Sequence, residues 1–246
     1  MGGMFVLARR IHNFSVVDIA WSFNFTPIAG VVALLATGSL ERRLLVFGMV
    51  ALWSLRLTVH LARRVAALHP VEEGRYIELR RQWSHDVNGR FFRFFLLQGV
   101  LNAFLSLPFM FASMNASSAP DPATILGVVV FAISLVGEWF ADTQLNAFKK
   151  DPGNAGKVCQ AGLWRYSRHP NYFFEWLVWC AFALIASSTP WGWISWICPA
   201  LMLYFLLRVT GIPATEEQAV RSRGDAYRAY QATTSAFVPW PPRRLP

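Results

Sequence analysis

The chain has 246 residues, 54% of them hydrophobic and only 15% charged, with 11 Trp, 20 Phe and a mean hydropathy of +0.34; this is too apolar for an ordinary soluble domain of its length. A formal net charge of +9 does not indicate nucleic acid, because Lys and Arg lie between apolar runs and form no basic helical face. Cys159, Cys180 and Cys198 are widely separated, so neither a disulfide framework nor a metal ligand set is expected.

A helix needs ~20 apolar residues to cross a hydrocarbon layer roughly 30 Å thick. Six continuous runs approach or exceed that length, at about 15–38, 44–62, 92–113, 123–141, 172–188 and 191–209. They do not alternate with polar residues, so they demand helices rather than a barrel. The expected fold is an all-α polytopic membrane bundle with about six or seven transmembrane helices, a single integral membrane domain over 1–246 of unspecified oligomeric state. Basic residues collect after the second run (Arg63, Arg64, Arg75, Arg80, Arg81, Arg90), after the fourth (Lys149, Lys150, Lys157, Arg165, Arg168) and in the tail (Arg221, Arg223, Arg228, Arg243, Arg244). The connections 114–122 and 189–190 carry none, which places the basic loops and both termini in the cytoplasm, with Arg42 and Arg43 as exceptions. Arg9 and Arg10 precede the first run with no small-residue cleavage site behind it, so no cleavable signal is expected.

In the first run Asp18 stands within Val16-Val17-Asp18-Ile19-Ala20-Trp21-Ser22, followed by Asn24 and Pro27. An ionisable group there is expensive unless it faces a bundle interior or a cavity, so Asp18 is either a structural bond to a neighbouring helix or a functional cavity group. In the second run Trp53, Arg56 and His60 share one helical face; Arg56 and His60 either line the interior or snorkel to the cytoplasmic surface. The segment from Val65 to Arg90 is too polar to be embedded. Its Glu72, Glu73, Glu78, Arg80 and Arg81 read mainly as a solvated face, with Arg75 and Tyr76 as candidates to close over a charged ligand.

Gln98 and Asn102, four apart in the third run, suit either interhelical hydrogen bonds or a ligand contact. The fourth run ends in Glu138, Asp142, Asn146 and Lys149, a continuous polar stripe on a helix leaving the membrane, which reads as a site wall. A turn cluster, Asp151-Pro152-Gly153-Asn154-Ala155-Gly156, then brings the chain back. Arg165, Arg168 and His169 immediately precede the fifth run, whose start is set by Pro170 and Asn171. Unpaired helix N-terminal N–H groups together with basic side chains suit an anion, most naturally phosphate, which the arginine fork meets in a bidentate way. Asn171, Tyr172 and Glu175 fall within one helical turn and are placed to hydrogen-bond an amide or ribose hydroxyls. Arg208 ends the sixth run, and the tail, with Glu216, Glu217, Gly224-Asp225-Ala226-Tyr227-Arg228-Ala229-Tyr230 and Phe237-Val238-Pro239-Trp240-Pro241, reads as an amphipathic cap.

The run Gly162 to Trp176, the Glu138/Asp142/Asn146 stripe and the Gly-Asp-x-Tyr-x-x-Tyr tail followed by Val-Pro-Trp together resemble the membrane-bound steroid 5α-reductase-like family, over nearly the whole chain. The likeness is strongest to its bacterial branch, where Val-Asp-x-x-Trp also occurs. The resemblance implies a helical bundle in a bacterial inner membrane, NADPH held on the cytoplasmic side by a C-terminal half at 123–246, and a lipophilic substrate entering from the bilayer among helices at 15–113. It implies reduction of a carbon–carbon double bond conjugated to a ketone, as in 3-oxo-5α-steroid 4-dehydrogenases. By the same resemblance Asn171 and Glu175 contact the nicotinamide, while Asp142, Asn146, Lys149, Lys157 and Arg208 match further cofactor positions. Asp18 aligns with the family's ketone-polarising glutamate, and Trp53 with its tyrosine partner. That is a departure, since an indole cannot supply an acidic phenol; either the ketone is held differently, with Tyr76, His60 or Arg56 contributing, or the substrate is not a 3-oxo-steroid. A second departure is that only about fourteen residues precede the Asp18 run, where the family usually has another span.

The mechanism expected from this likeness has a protonated Asp18 donating to the ketone oxygen as enolate charge develops, assisted by Trp53 or Tyr76. The competing reading is S-adenosylmethionine-dependent methyl transfer to a lipid or isoprenylcysteine, because Arg168-His169-Pro170-Asn171-Tyr172 also resembles the Arg-His-Pro-x-Tyr run of membrane methyltransferases. A non-catalytic lipid-binding protein leaves that cluster without a role.

Overall fold

A computed structural model describes residues 1–243; Arg244, counted above with the basic tail, lies outside the described residues. All regular structure among the described residues is helical. The chain divides into two compact units: Met1–Pro120 with Ala186–Gly192, and Asp121–Ile185 with Trp193 onward.

The first unit contains α1 (Gly2–Arg10), α2 (Val16–Leu35), α3 (Leu40–Leu68), α4 (Gly74–Gln82), α5 (Val87–Leu105) and α6 (Leu107–Ser113). Helix starts follow capping chemistry. Ser39 Oγ accepts from Arg42 N at 3.3 Å at the head of α3, and Asp86 Oδ1 accepts from Gly89 N at 2.9 Å at the head of α5. Small hydroxyl residues zip α2 to α3: Thr26 Oγ1 donates to Ser54 Oγ (2.8 Å), Ser54 Oγ to Ser22 O (2.6 Å), and Ser22 Oγ lies 3.0 Å from Thr58 Oγ1. Such residues let two backbones approach closely where lipid supplies no hydrophobic drive, and each bond contributes roughly 0.6 kcal/mol. Asn102 is interhelical, donating to Trp21 O at 3.0 Å and accepting from Asn24 at 3.3 Å, which settles its role as structural. Arg42 and Arg43, the exceptions to the charge asymmetry, hold carbonyls: Arg42 donates to Ser117 O and Ala119 O (3.3 and 3.2 Å), Arg43 to Ala33 O (3.1 Å).

The second unit contains α7 (Pro122–Lys150), α8 (Pro170–Ala186), α9 (Ile197–Tyr204), a π-helical turn (Phe205–Val209), α10 (Ile212–Arg223) and α11 (Asp225–Thr233). Asp121 caps α7, accepting from Thr124 N and Thr124 Oγ1 at 3.0 and 2.8 Å. Two glycines on α7 set its approach to α8. A Cβ at Gly127 meets Ile185 Cγ1 at 2.5 Å and Ala181 O at 2.9 Å, and one at Gly137 runs into the Phe174 ring.

Among the described residues, five helices are long and apolar enough to cross a membrane: Val16–Leu35, Leu40–Leu68, Val87–Ser113, Pro122–Lys150 and Gly192–Arg223. The sixth expected run is α8; its 17 residues at ~1.5 Å each give roughly 25 Å, short of the hydrocarbon thickness. Together these identify an integral membrane protein. Helices α3 and α7 continue past the apolar runs that announced them, to Leu68 and Lys150. Hydropathy marks lipid depth, whereas helical hydrogen bonding carries on into water.

Candidate functional site

In the first unit the polar centre is Asp18, half-buried in the first turn of α2, whose Oδ1 accepts a 2.7 Å hydrogen bond from the phenol of Tyr76 on α4. Tyr76 is fully enclosed. Burial, and next the neighbouring Asp18 charge, push its phenol well above the usual value, so it remains a donor through neutral pH. A bracket of charges holds α4 in place. Glu72 accepts from Phe14 N (2.6 Å) and takes both arms of Arg80 (3.0 and 2.9 Å). Glu73 pairs with Arg64, and its N–H donates to Ser15 Oγ at 3.0 Å. The solvated-face reading is therefore corrected for Glu72 and Glu73, both buried; it holds for Glu78 and Arg81, which bond each other at the surface. The Arg75 guanidinium lies 5.5 Å from the Tyr76 ring centre.

Trp53 is enclosed on α3, its ring 5.2 Å from that of Phe25, which in turn meets Trp21 edge-on at 5.0 Å. Trp21 lies three residues after Asp18, on the same side of α2. Its indole Nε1 is buried and has no acceptor among the described residues. A buried donor left unpaired is rare and costly.

In the second unit a different carboxylate organises the Arg165–Glu175 region. Glu216 on α10 accepts from Arg168 Nε at 2.5 Å, sits 3.2 Å from His169 Nε2, and accepts from Gln231 on α11 at 2.9 Å. Arg168 further donates to Gln231 O (3.0 Å) and Thr234 O (2.5 Å), and its N–H to Ser235 O (2.9 Å). His169 is 3% exposed and stacks on Tyr172, with ring centres 5.3 Å apart. The Tyr172 hydroxyl is 3.2 Å from Thr215 Oγ1. The tail straps the same segment: Tyr230 donates to Trp164 O and Ser167 O, Ser167 Oγ donates to Phe237 O at 2.8 Å, and Trp240 N to Tyr166 O at 2.9 Å. Burial raises the Tyr230 phenol above its ordinary value and that of Tyr227 to about 12.

The polar stripe of α7 splits at the end of the apolar run. Glu138 and Asp142 are buried, Asn146 and Lys149 exposed. Gln144, two residues from both Asp142 and Asn146 and so on the other side of α7, accepts from Leu163 N at 2.9 Å. Exposed cations remain at Lys157, at Arg165 in the 3-10 turn Gly162–Arg165, and at Arg208 in the π-helical turn. Glu175 accepts from Trp179 Nε1 one turn along α8 at 3.3 Å. Asn171 is half-buried, and its side-chain amide has no protein partner among the described residues.

Residues 4–234 match the profile of a family described as "Protein of unknown function (DUF1295)". The chain belongs to the DUF1295 family. That family is associated with steroid 5α-reductase-like membrane proteins. Among curated proteins, the chain is similar to "Probable O-methyltransferase ustE" of Ustilaginoidea virens, 28% identical over 123 residues, covering 47% of this chain and 42% of that protein. It is also similar to "Uncharacterized protein C594.04c" of Schizosaccharomyces pombe (strain 972 / ATCC 24843), 26% identical over 224 residues, covering 81% of this chain and 64% of that one. The chain thus spans less than two thirds of either relative's length. No solved structure matches it.

In this DUF1295 chain the residue that sequence reasoning passed over is Glu216. It sits 48 residues from Arg168, and its one visible signal was the acidic pair Glu216-Glu217 following an apolar run that ends in Arg208.

Proposed function

We propose that this DUF1295 protein is an NADPH-dependent reductase of a carbon–carbon double bond conjugated to a ketone in a lipophilic, steroid-like substrate. The observation that carries the reading is the Tyr76-to-Asp18 hydrogen bond. Where the resemblance supplied tryptophan at position 53, a phenol from α4 reaches the same carboxylate. NADPH supplies the hydride when bound. The residues suited to hold it are the exposed cations Lys149, Lys157, Arg165 and Arg208 for phosphate, with the partnerless amide of Asn171, together with Glu175 and Asn146, for the amide and ribose groups. Arg168 and His169, engaged by Glu216, act as positioning residues that fix the start of α8, and Asp142 and Tyr172 wall the same unit.

The protein's own chemistry lies at Asp18 and Tyr76. As negative charge grows on the ketone oxygen, a proton held by this acid pair stabilises it more in the transition state than in the ground state. A low-dielectric setting strengthens that interaction. Trp21 Nε1, a donor without an acceptor among the described residues, is suited to the same oxygen. Trp53 contributes shape rather than a proton.

A second reading is S-adenosylmethionine-dependent methyl transfer, favoured by the printed name of the Ustilaginoidea relative and by the Arg168-His169-Pro170-Asn171-Tyr172 run. Titrating purified protein with NADPH and with S-adenosylmethionine while following thermal unfolding separates the two, because a ligand of the folded state raises apparent stability by about 2.7 kcal/mol at a hundredfold excess over its Kd. The reductase reading expects the shift with NADPH. A shift with S-adenosylmethionine alone replaces it with the methyltransferase, and no shift with either favours a lipid-binding role.

A further inference from the structure

At the junction of α1, α4 and α5 the first unit has a cleft of about 310 Å³ lined by Arg9, His12, Phe14, Arg80, Val87 and Asn88. We infer that this cleft binds the headgroup phosphate of an anionic phospholipid, independently of the catalytic reading above.

The lining is cationic and comes from three elements. The side chains of Arg9 and His12 are exposed and have no partner among the described residues. Arg80 lies 4.9 Å above the Phe14 ring, and Glu72 holds its Nε and one terminal nitrogen. Asp86, next in sequence to the lining residues Val87 and Asn88, is taken by Gly89 N and Arg93 (2.9 and 3.1 Å). A phosphate therefore meets Arg9 and the free edge of Arg80 with no uncommitted carboxylate opposite.

Backbone geometry puts His12 there. Helix α1 closes with Asn13 N bonding Ala8 O (3.0 Å) and His12 N bonding Arg9 O (3.4 Å), with His12 at φ 54°. That left-handed position ordinarily takes glycine. An imidazole held at a position that glycine suits better is a feature that helix ending alone does not explain.

The surroundings suit a lipid rather than a soluble anion. On α1 Val6 and Leu7 are 49% and 44% exposed, and on α5, one turn beyond Asn88, Phe92 is 41% exposed while touching Phe5 of α1. An acyl chain laid along this apolar surface leaves its phosphate at the basic cleft, at the water-facing ends of the helices where juxtamembrane arginines attract anionic lipid.

The test is native mass spectrometry of the full-length protein released from nanodiscs of phosphatidylcholine with and without phosphatidylglycerol, with glycerol phosphate as a soluble competitor. The wild type should retain phosphatidylglycerol in preference to phosphatidylcholine. Arg9→Gln should weaken that retention roughly 5-fold, the change that loss of one arginine's attraction makes. His12→Gly should weaken it too, while thermal stability holds or rises because the positive φ is relieved. Equal retention of the two lipids by the wild type, or unchanged retention in Arg9→Gln, overturns the assignment; so does displacement by glycerol phosphate, which makes the ligand a soluble phosphate ester.

Discussion

Two carboxylates at opposite ends of the sequence, Asp18 on α2 and Glu216 on α10, show how the same chemical group does different work. Glu216 is satisfied three times over, by Arg168, His169 and Gln231, and joins the start of α8 to α10 and α11. Among the described residues the Asp18 carboxylate takes one hydrogen bond, from Tyr76, and beside it Trp21 holds a buried donor with no acceptor. A saturated buried network is a brace; a polar pair with capacity to spare is where a ligand gains most from binding.

This contrast can be broken first at Glu216. Glu216→Ala leaves the mostly buried Arg168 without its counter-charge and should cost roughly 3–5 kcal/mol, read as a large loss of thermal stability in detergent; a variant as stable as the wild type would mean the network is not a brace. Asp18→Asn should do the reverse. The amide oxygen can still accept from Tyr76, so stability should stay near wild type, while turnover falls by roughly 10²–10³, the usual cost of a lost oxyanion-type interaction.

How much of this was legible before the structure follows from sequence distance. The helical bundle was, because a run such as 123–141 needs only its own residues to declare itself. Asp18 was visible for the same reason, as a carboxylate inside an apolar run. Its partner was less so: Tyr76 lies 58 residues away in a segment whose charges suggested a solvated surface. Glu72 and Glu73 are buried only because α4 folds back on the start of α2, a tertiary fact that residue type does not carry. The Glu216 brace was invisible for that reason, and Arg168, read as a phosphate ligand, is largely committed to it.

Smaller effects sharpen the comparison. Gly137→Val should drive a methyl group into Phe174 and cost about 1–3 kcal/mol by overpacking α7 against α8, with no change in substrate selectivity. Ser54→Ala removes one rung of the α2–α3 zipper and should cost roughly 0.6 kcal/mol. The smallest effect is on pH dependence. The Tyr76 phenol is raised in the folded state, so its contribution is complete below the ordinary tyrosine pKa and is lost as pH climbs above about 10, where unfolded tyrosine ionises. Tyr76→Phe should flatten the alkaline fall in stability; an unchanged slope removes Tyr76 as its source.

The most direct test of the central claim follows hydride transfer itself. Purified protein is given NADPH deuterated at the transferring carbon and a lipophilic α,β-unsaturated ketone, and the product is analysed by mass spectrometry and NMR. The account predicts a saturated ketone bearing deuterium at the β-carbon, formed by the wild type and by Glu217→Gln, an exposed neighbour of the brace, and largely lost in Asp18→Asn. A methylated product formed from S-adenosylmethionine, or deuterium transfer undiminished in Asp18→Asn, would contradict it.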